Sequence, residues 1–415
     1  MQQSITSDVV ISGGGPVGLL LALGLAQLDQ KIVLAETYLP TENAPNSFDG
    51  RVLALSHGSM LVLERLNIWQ DLVTFVTEIH HVHVSQKGYM GITKLHAEEV
   101  DVPALGYSIQ SSDLGKVLWQ HVKQNAQIQV LCPARLMSFE EVEGGLEARV
   151  EVASEQTPCE VVVNAKLIVG ADGTDSQVRK LLALPMEVKS YNAYGVIAQI
   201  ETEEHPEGWS FERFTEKGPV ALLPMKGHAH KAVLVCPEEE VESIQALSDD
   251  DFIELFSAKM GPRLGAFTKI SPRVVYPLKE TYVPQMAKGR ALLMGNASHT
   301  QHPVAAQGLN LGIRDIEVFL NRAKQALKEG GTQSNQSTEL GRSVDLGQPD
   351  FLADYAVLRK SDHEKVMGLT DGLIQIFQHS SPIVGHLRGV GLMAMQAMPS
   401  LKRRFSRFAM GGNAS

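Results

Sequence analysis

A glycine-rich turn between an apolar strand and an apolar helix constrains the fold more than any other feature of this sequence. Residues 8–12 form a short apolar run, Gly13-x-Gly15-x-x-Gly18 follows, and a second apolar run continues to about Leu28. Residues 31–36 form a third apolar run. Strand, helix and strand in this order predict a βαβ unit, whose two strands lie parallel in a sheet covered on both faces.

The spacing of the three glycines predicts a dinucleotide site. Gly13 permits the tight turn, Gly15 lets the backbone approach a pyrophosphate, and Gly18 allows close helix–strand packing. The helix N-terminus offers amides and partial positive charge to phosphates. Glu36 ends the second strand, where its carboxylate can accept a hydrogen bond from a ribose hydroxyl. The alternative is a glycine-rich turn with a solvated Glu36.

Two later blocks carry a resemblance. Leu167-Ile-Val-Gly-Ala-Asp172-Gly173 runs on to Arg179, and a block rich in Gly, Asn and Gln spans residues 295–315. With the first motif, in this order, they resemble the flavoprotein monooxygenases that hydroxylate aromatic rings. The resemblance implies FAD as cofactor, NAD(P)H and O2 as co-substrates, and Asp172, Gly173 and Arg179 near the cofactor. The alternatives are a helix N-cap for Asp172 and a surface ion pair for Arg179.

The block at 295–315 implies further cofactor contacts. Amides at the start of a helix can face the flavin pyrimidine ring, where negative charge accumulates on reduction. Asn296 stands where the group usually has Asp; it keeps a carbonyl acceptor for the ribityl chain. The predicted cofactor-binding residues here are Gly295, Asn296, Pro303, Gln307, Gly308, Leu309 and Asn310.

Shorter patterns point to a subgroup. Ser47-Phe-Asp-Gly-Arg51, Phe211-Glu-Arg-Phe214 and the Gly295-Asn296 pair resemble the hydroxylases of ubiquinone biosynthesis. This resemblance implies a polyprenylated phenol as substrate, a possible biosynthetic complex, and Arg51 near the FAD pyrophosphate. For Arg51 the alternative is a loop cap.

The sequence names no catalytic residue. His302 and His299 flank the predicted flavin loop, and His57 follows Arg51. A histidine can exchange a proton near neutral pH. We interpret each of the three as a histidine in a structural turn, and keep His302 as the candidate base.

The predicted fold is α/β: a Rossmann-like FAD-binding domain with an inserted β-sheet substrate domain and C-terminal helices. Segments 1–75, 101–186 and 276–328 are predicted to form the FAD-binding domain. Segments 76–100 and 187–275 are predicted to form the substrate domain. Residues 329–348 are predicted to be a flexible loop, and 349–415 a helical region.

Composition excludes several classes of protein. The formal net charge of -10 disfavours nucleic-acid binding. Cys132, Cys159 and Cys236 are scattered, so neither a metal site nor a disulfide framework is expected, and a reducing cytoplasmic setting fits. No signal peptide and no apolar run long enough to cross a membrane are found.

The C-terminal segment 383–410 is predicted to touch a membrane. An apolar, Met-rich stretch precedes Lys402, Arg403, Arg404 and Arg407, with aromatic residues between them. This composition suits peripheral contact with the inner face of the plasma membrane. The alternative is a helix packed on the core with a solvated basic tail.

Three other functions stay open: a flavin hydroxylase of a soluble phenol or benzoate, a flavin dehydrogenase that does not activate oxygen, and a non-enzymatic FAD protein in a biosynthetic complex. The sequence also leaves open the ring carbon hydroxylated, the tail length, NADH against NADPH, and the oligomeric state.

Overall fold

The computed structural model describes residues 3–38, 51–154, 157–301, 307–333, 344–378 and 382–411. Its strands, in chain order, are β1 (Gln3–Thr6), β2 (Val9–Ser12), β3 (Ile32–Ala35), β4 (Val52–Ser56), β5 (Thr77–Ile79), β6 (His81–Gln86), β7 (Ile92–His96), β8 (Gly106–Gln110), β9 (Ile128–Leu131), β10 (Ala134–Val142), β11 (Gly145–Val152), β12 (Cys159–Ala165), β13 (Leu167–Gly170), β14 (Glu187–Thr202), β15 (Trp209–Thr215), β16 (Gly218–Pro224), β17 (Ala229–Pro237), β18 (Phe267–Ile270), β19 (Val274–Tyr282), β20 (Ala287–Lys288), β21 (Ala291–Leu293) and β22 (His299–Thr300).

The α-helices are α1 (Pro16–Ala26), α2 (His57–Arg65), α3 (Trp69–Leu72), α4 (Ser111–Gln124), α5 (Gln177–Leu181), α6 (Val241–Gln245), α7 (Asp249–Met260), α8 (Gln307–Gln333), α9 (Pro349–Gln378), α10 (Pro382–Ala397) and α11 (Pro399–Ala409). Short 3-10 helices lie at Ala97–Val100, Glu238–Glu240 and Gly295–Ala297.

A six-stranded sheet holds the three motif-bearing strands side by side. Its order is β20-β21-β13-β2-β3-β9, and every neighbouring pair is parallel except β20 with β21. The strands β2, β3, β13 and β21 are entirely buried, as parallel strands covered on both faces should be. Because β21, β13 and β2 are parallel neighbours, the turns that follow them meet at one edge of the sheet.

A nine-stranded sheet forms the second large element. Its order is β22-β19-β14-β17-β16-β15-β6-β7, and β18 also pairs with β14. One face packs against α7, where Phe252 and Phe256 join Val196, Leu222 and Leu234 in a separate core. The strand β22 joins this sheet to the 3-10 helix and turn that follow β21.

Smaller elements complete the fold. The order β4-β8-β5 makes a three-stranded sheet, and β1-β12-β11-β10 a four-stranded one. Helix α1 packs against α8 and α4, helix α9 against α8 and β20, and helix α10 against β7.

The predicted α/β class and the early βαβ unit are confirmed, with the helix and strands within two residues of the predicted bounds. Two details differ. The segment 187–275, predicted as β-rich, also contains α6 and α7, which cover one face of its sheet. The predicted loop at 329–348 begins too early, because α8 continues through Gln333; residues 334–343 lie outside the described residues.

The predicted domain boundaries remain a prediction; one of them cuts through a strand, and another separates two strands that pair. Residue 276 falls inside β19, whose pairing with β14 extends to Tyr282. Residue 76 separates β5 from the segment before it, although β5 pairs with β8 beside β4. Strand pairing therefore groups β19 with the nine-stranded sheet and β5 with β4 and β8, whereas the predicted boundaries divide these groups.

Candidate active site

The glycine-rich turn has the geometry that close packing requires. Gly13 has a φ of +111°, and a Cβ there would lie 2.4 Å from the Ala171 carbonyl oxygen. A Cβ on Gly18 would lie 2.0 Å from the Gly13 carbonyl oxygen. Gly15 precedes α1, and no side chain in the described part of the chain caps the helix there. The first amides of α1 are therefore placed to meet an anion.

Glu36 is held against this turn. The amide of Gly14 donates to Glu36 Oε2, and the amide of Tyr38 donates to Oε1 at 2.9 Å. The side chain is half-buried, so it is not the solvated carboxylate of the alternative interpretation. Each oxygen keeps a second acceptor position for a sugar hydroxyl.

The second motif lies directly beside the first. Asp172 Oδ2 accepts from the amides of Gln177 at 2.8 Å and Val178 at 3.2 Å, and from the Ser12 hydroxyl at 3.4 Å. These contacts agree with the helix-cap interpretation. Asp172 Oδ1, however, is buried and has no partner among the described residues, which leave this acceptor at the edge of the sheet unsatisfied.

Arg179 and Gly173 occupy the same turn. Arg179 is 7% exposed and donates from Nη1 to the Thr174 carbonyl oxygen at 2.5 Å. A surface ion pair is therefore the wrong alternative for this arginine. Gly173 has a φ of +81° in the loop between Asp172 and α5.

Val17 joins the third motif to the first. A Cβ on Gly295 or on Gly312 would lie 2.9 Å from Val17 Cγ2. The 3-10 helix after β21 and the first turns of α8 therefore both pack on the start of α1. Asn296 is exposed in that 3-10 helix.

Helix α8 begins at Gln307, whose side chain lies outside the described residues, as do His302 and Pro303. A Cβ on Gly308 would meet no atom of the described residues within 4 Å, and Leu309 is half-buried. Within the described part of the chain, the first turn of α8 therefore borders open space on the side of Gly308.

Asn310 has its side chain engaged with the protein. Its Oδ1 accepts from the Ser56 amide at 2.8 Å and the Ser59 hydroxyl at 2.7 Å, and its Nδ2 donates to the Ala54 carbonyl oxygen at 2.9 Å. Any cofactor contact at this position would come from the backbone, while the side chain fixes α8 on β4 and α2.

Arg51 stands at the start of β4. It is exposed, and its guanidinium carbon lies 5.2 Å from the centre of the Tyr276 ring. Its position therefore links the beginning of β4 to the nine-stranded sheet. Residues 39–50 lie outside the described residues, including the start of the pattern Ser47–Arg51.

A buried ion-pair network, which the sequence analysis did not identify, surrounds Asp315 of α8. Asp315 Oδ1 accepts from Arg359 Nε at 2.7 Å and lies 2.8 Å from His363 Nε2. Burial alone would raise the pKa of this carboxyl, but His363 and Arg359 hold it well below its usual range. The Tyr355 hydroxyl adds a bond to the Asp315 carbonyl oxygen.

His299 belongs to this network. Its ring lies against that of His363, and its Nδ1 is 2.8 Å from the Ser298 hydroxyl. Burial lowers the pKa of His299 to about 3, so it is neutral at pH 7 and serves a structural purpose. His57 has a pKa lowered by burial and an Nδ1 without a partner.

Among the described residues, His299, Asp315 and His363 could also hold a cation, with ligand atoms within 4.8 Å of one another. Arg359, however, already supplies the positive charge that Asp315 needs. We therefore interpret the cluster as an ion-pair network.

A second polar cluster lies between β14, β19 and α9. The Tyr191 hydroxyl is 2.8 Å from Glu280 Oε2 and 2.6 Å from Asp371 Oδ1. One hydroxyl hydrogen serves two carboxyl groups, and burial raises the pKa of Glu280. No local pattern in the sequence indicates this cluster, because Glu280 and Asp371 lie 89 and 180 residues from Tyr191.

Comparison with known proteins shows which family these three converging motifs belong to. A family profile described as "FAD binding domain" matches residues 6–334. This chain belongs to the FAD binding domain family. The predicted flavoprotein family and the predicted cofactor are thereby confirmed.

Curated relatives of the family match nearly the whole chain. Ubiquinone hydroxylase UbiL of Rhodospirillum rubrum is 29% identical over 98% of this chain and 90% of its own length. The 3-demethoxyubiquinol 3-hydroxylase of Escherichia coli is 25% identical, and the match covers 98% of both chains. The mitochondrial ubiquinone biosynthesis monooxygenase COQ6 of Xenopus tropicalis is 24% identical over 97% of this chain.

Solved structures show the same fold. The p-nitrophenol 4-monooxygenase PnpA of Pseudomonas putida superposes with a TM-score of 0.77 at 16% identity, covering all of both chains. PqsL of Pseudomonas aeruginosa, in complex with 2-aminobenzoylacetate, gives a TM-score of 0.72 at 18% identity over 94% of this chain.

The residues present fit FAD. An uncapped helix start, the free Asp172 Oδ1 and the open space at Gly308 border the edge where β2, β13 and β21 end. Backbone amides at two helix starts and one acceptor are the chemistry that a pyrophosphate, a ring with developing charge and a sugar require.

Proposed function

We propose that this chain is an FAD-dependent monooxygenase that hydroxylates the aromatic ring of a polyprenylated phenol in ubiquinone biosynthesis, with NAD(P)H and O2. The convergence of three separated motifs on one sheet edge carries the proposal. Relatives named for ubiquinone biosynthesis, matched over almost the full length, support the substrate class.

The proposed cofactor contacts follow from the geometry. The turn at Gly13, Gly15 and Gly18 and the start of α1 would hold the pyrophosphate, with Arg51 beside it. Glu36 would accept from the ribose, Asn296 would meet the ribityl chain, and Asp172, Gly173 and Arg179 would shape the adjoining turn. The start of α8, from Gln307 to Asn310 and with Gly295 and Pro303 before it, would face the flavin ring.

Bound FAD supplies the redox and oxygen chemistry. The chain's own task is to bind the ring, orient it, exclude water and handle the proton of the phenol. A region between the sheet edge and the nine-stranded sheet would hold the ring, since ligand sites commonly lie where two elements of a fold meet.

The test compares the hydroxylation of different substrates, and the oxidation of NAD(P)H with the uptake of O2. Purified protein is supplied with NADH or NADPH, isotopically labelled O2, and either a prenylated phenol or a soluble phenol or benzoate. We expect label in the ring of the prenylated product. Hydroxylation of the soluble compounds alone would replace the substrate, and NAD(P)H oxidation without O2 uptake would favour a dehydrogenase.

A cellular measurement completes the test. Deletion of the gene should cause a prenylated quinone precursor to accumulate, and its structure would give the ring carbon and the tail length. Normal quinone yield in cells that carry a flavin-free variant would instead support a non-enzymatic role in a biosynthetic complex.

Contact with a membrane surface forms part of the proposal. Helix α10 packs on β7 through one face, where Thr93 Oγ1 donates to the Leu392 carbonyl oxygen at 2.8 Å. On its outer face, Ile383, Leu387 and Val390 are 72%, 63% and 55% exposed. Solvated helices seldom present large apolar side chains at this spacing. We call this row the outer face of α10.

The charges next to the outer face suit anionic lipid. The segment 382–411 has no acidic residue in a chain of net charge -10, and its basic residues are Arg388, Lys402, Arg403, Arg404 and Arg407. Lys402 pairs with Glu99, whereas Arg403, Arg404 and Arg407 are exposed. Among the described residues, no helix combines the length and apolar character needed to cross a bilayer.

Sedimentation with vesicles tests this contact. Leu387→Asp should lower binding to vesicles that contain phosphatidylglycerol about tenfold or more, since a leucine contributes roughly 2 kcal/mol on burial. The control is Val357→Asp, at a 71% exposed valine of α9. Equal binding of both variants and the wild type would remove the membrane from the proposal.

A further inference from the structure

The alternation of side chains along β15 decides where Glu212 points. Phe211 lies in the core with Phe252 and Phe256 of α7. Arg213 Nη1 donates to the Met260 carbonyl oxygen at the end of the same helix, at 2.7 Å. Successive residues of a strand point to opposite faces, so Glu212 lies on the face away from α7.

The register across the sheet shows what shares this face. Glu212 is opposite Ala221, and Ala221 is opposite Val233. Lys231 is two residues from Val233 on the same face, and its Nζ donates to the Val52 carbonyl oxygen of β4 at 2.7 Å. The face that bears Glu212 therefore turns toward β4.

The same face also reaches Arg51. Val235 is opposite Gly195, and Gly195 is opposite Tyr276. The Tyr276 ring lies under the Arg51 guanidinium. Since Arg51 is among the proposed FAD-binding residues, the face of Glu212 is the one that borders the proposed cofactor site.

In the other direction the sheet face that bears Glu212 reaches helix α10. Glu212 is opposite Val84 of β6, and Val84 is opposite Thr93, which donates to α10. The sheet face that carries Glu212 thus runs from the proposed cofactor side to the helix whose outer face we propose to contact lipid. A ring with an isoprenoid tail requires such a continuous surface.

The Glu212 carboxyl has no hydrogen bond or ion pair among the described residues. The side chain is half-buried, and burial raises its pKa to about 8 with no contribution from a neighbouring charge. Burial of this carboxyl is therefore not offset by a partner among the described residues. An unpartnered carboxyl in such a place is costly, and such groups concentrate at functional sites.

Several charged and titratable side chains of the described chain lie on or against the same face of the sheet, although none of them contributes to the pKa of Glu212. They are Lys231 of β17, Tyr276 of β19 with Arg51 above it, and Arg388 of α10. Lys231 donates to Val52, and the Arg388 guanidinium lies 6.0 Å from the centre of the Tyr89 ring. Each therefore has a contact of its own within the protein.

We infer that Glu212 is a catalytic residue that contacts the phenolic hydroxyl of the substrate and accepts its proton. The inference rests on the proposed function. The phenolic O–H bond breaks, its electron pair stays on the phenolate oxygen, and a new O–H bond forms on the carboxylate. The ring thereby becomes more electron-rich for hydroxylation, and the carboxyl returns its proton to water once product has left. A base whose pKa lies near the working pH suits this step.

The first test measures stability and needs no substrate. Free energies of unfolding of the FAD-loaded wild type and of Glu212→Gln are compared from pH 5 to 8. A carboxyl whose pKa is raised on folding binds a proton in the folded state that the unfolded chain has lost. The folding equilibrium constant of the wild type should therefore fall, relative to Glu212→Gln, by about tenfold for each pH unit in this window.

The matched control is Glu216→Gln, in the exposed turn after β15. Its difference from the wild type should stay constant over the same range. A constant difference for Glu212→Gln as well would show that Glu212 is an ordinary solvated carboxylate, and would overturn the inference.

The second test measures chemistry. Glu212→Gln should keep its FAD and its rate of flavin reduction, and should lose about a hundredfold or more of the hydroxylation rate. Glu212→Asp, which keeps the acid, should recover part of this rate. Hydroxylation by Glu212→Gln at the wild-type rate would refute the role. If the wild type hydroxylates no prenylated phenol, the proposed function itself fails, a result that the stability test does not share.

Discussion

Gly308 and Asn310 lie two residues apart in the first turns of α8, and the structure gives them different tasks. The Asn310 side chain is bound to Ala54, Ser56 and Ser59. A Cβ on Gly308 would meet no atom of the described residues, so no contact in this part of the chain requires a glycine there. A glycine that the fold does not need points to a ligand that approaches the backbone closely.

Gly308→Ala tests whether this glycine is needed by the fold or by a bound ligand. Without a cofactor the variant should be as stable as the wild type or more stable by up to about 1 kcal/mol, because alanine favours the helix. Its Kd for FAD should rise roughly tenfold, which corresponds to about 1.4 kcal/mol. Fluorescence titration with FAD and thermal unfolding of the apoprotein measure the two quantities.

Gly368→Ala is the matched control, since Gly368 is an exposed glycine of α9 whose added Cβ would also meet nothing. It should show the same change in stability and an unchanged Kd. An unchanged Kd for Gly308→Ala would mean that the cofactor does not approach this turn.

At the residue scale, the sequence predicts what depends on local spacing. Gly13, Gly18 and Glu36 are brought together by one βαβ unit, and the motif predicted them. The contacts of Asn310 lie about 250 residues away in the chain, so its structural task could not be foreseen. The pattern Phe211–Phe214 contains Glu212, but it assigned this residue no role, and only the position of α7 shows which of these side chains face the core.

Helix α9 is fastened to α8 by the buried ion pair between Asp315 and Arg359, which also holds His363. Asp315→Asn should destabilise the folded protein by about 3 kcal/mol, because it removes the buried carboxylate from Arg359 and leaves this guanidinium with Asp362 alone as a charge partner. Chemical denaturation measures this change.

The control for Asp315→Asn joins the same two helices at the surface. Asp354 of α9, which is 72% exposed, lies 3.2 Å from Arg322 of α8, and its replacement by Asn should cost less than about 1 kcal/mol. Similar losses for the two variants would show that the buried network is not what holds the helices together.

His299 makes the same network sensitive to acid. Its folded pKa of about 3 lies below the unfolded value near 6.5. Between these two pH values the unfolded chain binds a proton on this ring and the folded protein does not. The stability due to the neutral ring is present above pH 6.5 and is lost as pH falls toward 3. Relative to His299→Gln, the wild type should lose about 2 kcal/mol between pH 6.5 and 5. A flat difference in chemical denaturation would contradict this.

At the element scale, the sequence predicts the strands and helices that have clear apolar runs. It does not predict which helices cover which sheet. The strands β2, β3 and β13 are short apolar runs that only a buried parallel sheet accommodates. The helices α6 and α7 interrupt a β-rich segment, and their sequence carries many acidic residues on the solvent side. Their apolar side chains are buried only because they pack on the sheet that these helices cover.

The molecule as a whole uses the two faces of its nine-stranded sheet differently. One face packs on α7 and is closed by aromatic residues. The other extends from β4 and Arg51, across Glu212, to α10. The resemblance to flavin monooxygenases predicted a sheet beside a cofactor domain. It did not predict that the helix with the apolar outer face would lie at the end of the surface that bears the half-buried Glu212 carboxyl.

This arrangement connects lipid binding to catalysis, and the connection can be measured. A substrate with a long isoprenoid tail stays in vesicles, so the enzyme must reach it from the membrane surface. A short-chain analogue dissolves in water and needs no such contact.

Leu387→Asp should therefore raise KM for the long-tailed substrate in anionic vesicles about tenfold and leave kcat and KM for the short-chain analogue unchanged. Val357→Asp should change neither. A loss with both substrates would indicate that the Leu387 substitution disturbs the site itself, because α10 packs on the sheet that carries Glu212, and a loss with neither would separate the outer face of α10 from substrate capture.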